Sequence, residues 1–131
     1  MKTSISPMLS VRRGKKAMEF YKDAFGAVEL FSIGDEKSGV VAKMSVEGAE
    51  FWLADEAPDC LNFSPESVGA NFRGAMVRMV LVVDDPDALF ARAVAEGAEV
   101  ISPVEDKEYR WRLGRLRDPF GHHWEIGKPL G

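Results

Sequence analysis

The sequence predicts an α+β protein made of two successive β-α-β-β-β units, and three observations carry that prediction. One order of strand-like and helix-like segments occurs twice. A helix-to-strand junction, Phe25 to Leu30, recurs in pattern as Glu96 to Ile101, at a constant offset of 71 residues. Between the copies lies 55–74, a stretch that carries Pro58, Pro65, Gly69, Asn71 and Gly74 and reads as a linker or lid. With 131 residues, 46% of them apolar, the chain has the size of one domain and can bury a core without staples.

In the first unit (1–54), Ile5 to Val11 reads as a strand. Lys15 to Phe25 reads as a helix, because Ala17, Phe20, Tyr21, Ala24 and Phe25 fall along one stripe and Gly26 can end it in a left-handed turn. Three β-rich segments follow, Ala27 to Ile33, Val40 to Val46 and Glu50 to Ala54, separated by turn residues such as Gly34-Asp35 and Glu47-Gly48. In the second unit (75–131), Ala75 to Val83 is the strand. Asp85-Pro86 then offers a capping carboxylate followed by a proline where its missing N–H costs nothing. Leu89, Phe90, Ala93 and Val94 form the buried stripe of that helix, Gly97 ends it, and Ala98 to Ile101, Tyr109 to Leu116 and His122 to Gly127 complete the unit. A sheet with helices on one face has an apolar side beneath them and an open, concave side, which a partner module or a ligand must occupy.

The 17 basic and 21 acidic residues are interspersed, for a formal net charge of −4. That argues against nucleic acid or an anionic membrane surface as partner, since both require concentrated positive charge. Charged residues interrupt every hydrophobic run, so no membrane span is expected. The start has no signal-like apolar run and Cys60 is the sole cysteine, so a cytoplasmic location is expected. Cys60 sits in an acidic loop beside Asp59 and reads as an unreactive thiol. Signatures of serine hydrolases, phosphate-binding loops and dinucleotide folds are missing from the sequence.

Ala17-Met18-Glu19-Phe20-Tyr21 with Ala24-Phe25-Gly26-Ala27 in the first unit carries a family resemblance. So do Val82 to Leu89, Ala95-Glu96-Gly97-Ala98 and Asp118-Pro119-Phe120-Gly121-His122-His123-Trp124 in the second. These segments resemble the vicinal-oxygen-chelate superfamily of glyoxalases, bleomycin-resistance proteins and dioxygenases. Arg112 and Gly114 ahead of the final hairpin resemble its PhnB-like branch. The resemblance implies two βαβββ modules forming a curved mixed sheet around a cleft, and a homodimer that closes or exchanges modules across a two-fold axis. It leaves the chemistry open, because the superfamily contains lyases, isomerases, dioxygenases, thiol transferases and non-catalytic drug binders. Taken alone, Asp118 to Gly121 is an ordinary turn, with Asp starting it and Gly at positive φ.

Metal-dependent members of the superfamily hold a divalent ion with His, Glu or Gln from the first and last strands of both modules. The resemblance puts those positions at Ser6, Trp52, Arg78 and Glu125, of which only Glu125 is a good ligand, so neither a metal nor any other cofactor is expected. A one-residue register slip would instead bring up Glu50, His123 and Glu125. His122 and His123, being adjacent in a strand, point to opposite faces and cannot clamp one ion; His122 reads as structural and His123 as facing the cavity beside Glu125.

Strand parity also predicts that Trp52, Arg78, Arg112 and Glu125 share the concave side, with Phe51, Leu53, Met79, Leu81, Trp124 and Ile126 as core beneath the helices. On that reading the arginines meet an anionic or carbonyl-rich ligand and Trp52 offers a stacking wall. The run Arg110, Arg112, Arg115 and Arg117 is equally readable as a solvated edge strand. The function expected is metal-independent binding of a small molecule. The alternative is an enzyme of the same superfamily, either a divalent-metal lyase or isomerase or a metal-free catalyst with Glu125 or His123 as general base. A third class is a protein-interaction module using the central loop.

Overall fold

A computed structural model describes residues 1–69 and 71–131; Ala70, part of the segment read as a linker, lies outside the described residues. The chain forms two compact units, Met1–Ala70 and Asn71–Gly131. Each carries a four-stranded mixed sheet with one helix on one face, so the chain is α+β with the βαβββ order occurring twice.

In the first unit, β1 (Met8–Val11), α1 (Gly14–Phe25), β2 (Val28–Asp35), β3 (Gly39–Val46) and β4 (Ala49–Asp55) follow in order. The sheet runs β1-β4-β3-β2, with β1 parallel to β4 and the other pairs antiparallel. The apolar stripe of α1 meets alternate residues of the sheet. Tyr21 stands edge-on to Phe51 with ring centroids 5.2 Å apart, and Leu9, Val11, Ala42, Met44 and Leu53 are buried around them. β1 begins at Met8 and not at Ile5, because its parallel ladder reaches only from Met8 opposite Trp52 to Val11 opposite Asp55.

The start of α1 has no local side-chain cap. Asp55, at the far end of β4, supplies one: its Oδ1 accepts the Gly14 N–H at 3.0 Å and its Oδ2 the Val40 N–H at 2.7 Å. One carboxylate thus ties the first turn of the helix to two strands, satisfying an N–H that the helix itself leaves orphaned.

The segment after β4 is not a plain linker. It contains a 3-10 turn, Pro58–Cys60, and a short helix α2 (Pro65–Val68). Glu56 folds this segment back on itself, accepting the Ser64 N–H at 2.9 Å and the Ser67 hydroxyl at 2.7 Å, and Arg12, just after β1, ties it down by donating to the Ser67 hydroxyl at 3.1 Å with Glu56 3.5 Å away. Those bonds, led by the Ser64 N–H, keep the Glu56 carboxyl below its usual pKa.

The second unit contains β5 (Arg78–Val82), α3 (Pro86–Ala95), β6 (Glu99–Asp106), β7 (Trp111–Arg117) and β8 (His123–Pro129), with sheet order β5-β8-β7-β6. Here the helix start is capped locally, as the sequence predicts: Asp85 accepts the Ala88 N–H at 3.1 Å and Pro86 follows it. Phe90 of α3 lies over Gly114 so closely that a Cβ there would sit 2.9 Å from the Phe90 ring and 2.7 Å from Val104. Gly114 is therefore what lets α3 approach β7. Leu81, Leu116, Trp124 and Ile126 are buried on the same face.

Between β7 and β8, the buried carboxylate of Asp118 organises the turn. Its Oδ1 accepts the Phe120 N–H at 2.9 Å and the His122 N–H at 3.0 Å, and its Oδ2 accepts the Trp124 indole N–H at 2.9 Å. Among the described residues no helix is long and apolar enough to cross a membrane.

Candidate functional site

Each sheet has one helix-covered face and one open face, and the cross-strand registers fix which side chains share the open one. In the first unit, Met8 pairs with Trp52, Trp52 with Lys43 and Lys43 with Phe31, a row across all four strands. Trp52 and Phe31 are edge to face at 6.1 Å, and the Lys43 ammonium lies 5.6 Å from the Trp52 ring centre while pairing with Glu50 at 2.8 Å. Phe31, Ile33, Val28 and Met8 are exposed. This face offers aromatic and aliphatic surface with one cation, the equipment for stacking on a planar or apolar group.

The corresponding row of the second unit is of opposite character. Arg78 pairs with His123, His123 with Arg117 and Arg117 with Glu99; one step along, Val80 pairs with Glu125 and Glu125 with Arg115. Diagonal contacts knit the rows together. Arg115 Nε donates to His123 Nδ1 at 3.0 Å, and Arg78 lies 3.4 Å from Glu125 Oε1. Arg73, in the segment leading to β5, forms an ion pair with Glu99.

His123 is buried, and both ring nitrogens are in use. An arginine can only donate, so Nδ1 must offer its lone pair to Arg115. The proton therefore sits on Nε2, which donates to the Arg73 carbonyl at 3.0 Å. Burial is the main cause holding the imidazole below its usual pKa; Arg115 and Arg117 act in the same direction, while the Arg73 carbonyl and Asp118 oppose them. A base whose lone pair is already bonded to a guanidinium is poorly placed to take a proton from a substrate.

Arg78 and Glu125 therefore share an open face, and Trp52 occupies the open face of its own sheet. Arg112 does not join Arg78. It lies on the helix side with Gly114 and Leu116, where its Nε and Nη2 each donate at 2.7 Å to the Asp87 carboxylate of α3 and its Nη1 at 2.9 Å to Asp106. These two carboxylates raise its pKa further above the usual arginine value. The expectation failed at the parity step: Arg112 shares the parity of buried Leu116, whereas Arg115 and Arg117 share that of Leu113 on the other face. Because Leu113 and Leu116 stand at opposite parities, the strand's own apolar pattern does not tell which of its faces the helix covers.

Ser6 precedes β1 and is exposed. His122 sits in the turn, its N–H bonded to Asp118. Cys60 is free and exposed. Among the described residues no three His, Cys, Asp or Glu side chains converge in a metal-binding arrangement, and Glu50, His123 and Glu125 are not brought together as one. The donors round Glu125 are guanidinium groups, which repel a cation. This set does not fit a divalent metal.

The first unit also has a cavity of about 220 Å³ beside α1, lined by Arg12, Arg13, Lys15, Lys16, Glu36 and Asp55 around Gly14. The Asp55 carboxylate stands at the helix start, where its Oδ1 accepts the Gly14 N–H, and so already places a negative charge where an anion would sit.

Two repeats of a mixed four-stranded sheet under one helix, each with an open face, define a duplicated α+β fold. The chain belongs to the Glyoxalase/Bleomycin resistance protein/Dioxygenase superfamily, whose family model matches residues 5–126. An uncharacterized protein of Mycobacterium bovis is 37% identical over 131 residues, covering 97% of this chain and 84% of that one. One of Arabidopsis thaliana is 30% identical, covering 93% and 76%.

Among solved structures, the chain resembles TioX from Micromonospora at a TM-score of 0.72 and 22% identity, covering 96% of this chain and 95% of that one. It also resembles the fosfomycin resistance protein FosX of Listeria monocytogenes, solved with Mn(II) and sulfate, at a TM-score of 0.69 and 18% identity, covering 98% and 93%. At these identities the likeness is one of fold.

Proposed function

We propose that this protein binds a small organic molecule on the open faces of its sheets and needs no metal ion to do so, with Trp52, Arg78 and Glu125 among the contacting residues. The observation that carries this reading is the company Glu125 keeps. Its neighbours are Arg78 and Arg115, and the adjacent imidazole has both nitrogens engaged, so the face is equipped for hydrogen bonding and charge recognition instead of ligation. On the first unit's own open face, Trp52 with Phe31 offers aromatic surface on which a planar or apolar group can stack.

The finer family assignment we propose is the PhnB-like branch, on Arg112, Gly114 and the Asp118 to Gly121 turn. Self-association into a homodimer belongs to the same reading, supported by the exposure of Val28, Leu30, Phe31 and Ile33 on the edge strand β2, since an uncovered apolar edge invites pairing.

The test is to purify the protein without chelator, measure its metal by elemental analysis, and identify small molecules released on denaturation. Far less than one metal per chain together with a retained organic molecule is the expected result. A tightly held divalent ion near one per chain refutes the reading.

A further inference from the structure

We infer that the open face of the second unit is an oxyanion site, at which Arg78, Arg115 and Arg117 receive the carboxylate, phosphate or phosphonate group of the ligand. The inference rests on the small-molecule reading above and names the chemical class that reading leaves open.

Its first support is a charge imbalance. Apart from the Lys107–Glu105 pair, 2.8 Å apart and neutral, the face gathers the guanidinium groups of Arg73, Arg78, Arg115 and Arg117 against the carboxylates of Glu99 and Glu125. His123 adds no charge while its Nδ1 accepts from Arg115. A surplus of two positive charges thus sits on one face of a chain whose formal net charge is −4. Such a surplus draws a counter-ion from solution.

The second support is an unmet donor. The Nε of Arg117 is buried and has no hydrogen-bond partner among the described residues, and its Nη1 is 3.9 Å from Glu99, beyond hydrogen-bond range. A buried donor left unsatisfied is costly, and an absent polar group is a usual explanation for one.

The third support is spacing. Arg78 and Arg117 flank His123 in one cross-strand row, two strand spacings or about 10 Å apart, and Arg115 lies two residues along β7 from Arg117, about 7 Å away, so side chains of arginine length from these three positions can converge over the face. Planar guanidinium forks on such a lattice match the several oxygens of one oxyanion. Arg78, half exposed and only loosely paired with Glu125, is the arm free to swing onto it.

The probes are inorganic phosphate, benzoate and its uncharged analogue benzamide, titrated by calorimetry at low salt. Phosphate and benzoate are expected to bind, with affinity that falls as salt is raised, and benzamide at least tenfold more weakly. Arg78→Met and Arg117→Met should each lower benzoate affinity at least tenfold, while Arg112→Met, on the helix face, leaves it unchanged. Equal binding of benzoate and benzamide, or affinities that survive both substitutions, overturns the assignment.

Because a variant can fail to fold, the wild-type protein supplies a second readout: its arginine Nε–H resonances under phosphate. Shifts confined to Arg78, Arg115 and Arg117 support the site. Shifts instead at Arg12, Arg13 and the first amides of α1 refute it. A neutral or cationic molecule released from the purified protein would overturn the anion assignment while leaving small-molecule binding intact. Arg117-dependent phosphate binding upholds the anion site even if nothing organic copurifies.

Discussion

Replacing Asp118 by alanine removes the acceptor for three N–H groups at once. The carboxylate is 1% exposed and serves the amides of Phe120 and His122 and the indole of Trp124, itself 3% exposed. Each buried donor left unpaired costs roughly 1–3 kcal/mol. The indole cannot regain water without moving Trp124 out of the core, so its share is lost in full. The two amides border exposed Pro119 and half-buried His122, so water can recover part of theirs. A total of about 3–5 kcal/mol follows, which is large for a point mutation.

Asp118→Asn should be milder, at about 1–3 kcal/mol. Its Oδ1 still accepts the two amides, but the side-chain NH₂ then faces the indole donor. Trp124→Phe alone removes the donor and keeps most of the ring, so the Asp118→Ala/Trp124→Phe cycle should show a coupling of about 1–3 kcal/mol. Urea unfolding followed by circular dichroism measures all four states. If Asp118→Ala stays within about 1 kcal/mol of wild type, or the cycle is additive, the carboxylate is not the organiser of this turn.

A Gly14→Ala substitution would place a Cβ 2.5 Å from Asp55 Oδ2 and 3.2 Å from Val40 Cβ, disturbing both the tertiary cap and the core; a loss of about 1–3 kcal/mol in the same assay is expected. His123 titrates lower in the folded protein than its ordinary value of 6.5, so the unfolded chain takes up its proton first as pH falls. Its contribution is therefore fully present above about pH 6.5 and is lost as pH drops from there toward the folded pKa; His123→Gln should flatten that limb of a stability-against-pH curve. Arg112→Ala should lower the melting temperature modestly and shed its dependence on salt, through loss of the contacts to Asp87 and Asp106, without altering ligand affinity. Light scattering at micromolar concentration should find twice the 14.5 kDa chain mass, and a species of one chain mass that persists on concentration argues against the dimer.

The duplicated fold was legible because its signals are local. The stripe from Ala17 to Phe25 and the alternation of Phe51 with Leu53 and of Trp124 with Ile126 each depend on periods within a few residues. Asp85-Pro86 announces α3 because cap and helix are neighbours in sequence. Arg78 and Glu125 could be put on one open face for the same reason, a parity counted along single short strands.

What the tertiary structure alone decided are the partners that lie far apart in sequence. Asp55 caps a helix that begins 41 residues earlier, and no spacing rule links a carboxylate ending β4 to the Gly14 N–H. Arg112 was misplaced because its face is decided by Leu116 beneath α3 and by Asp87, 25 residues away on the helix. The tautomer of His123 depends on Arg115 on one side and the Arg73 carbonyl, 50 residues back, on the other. Sequence limits which residues can pack or ionise; which acceptor meets which donor depends on where the strands bring them.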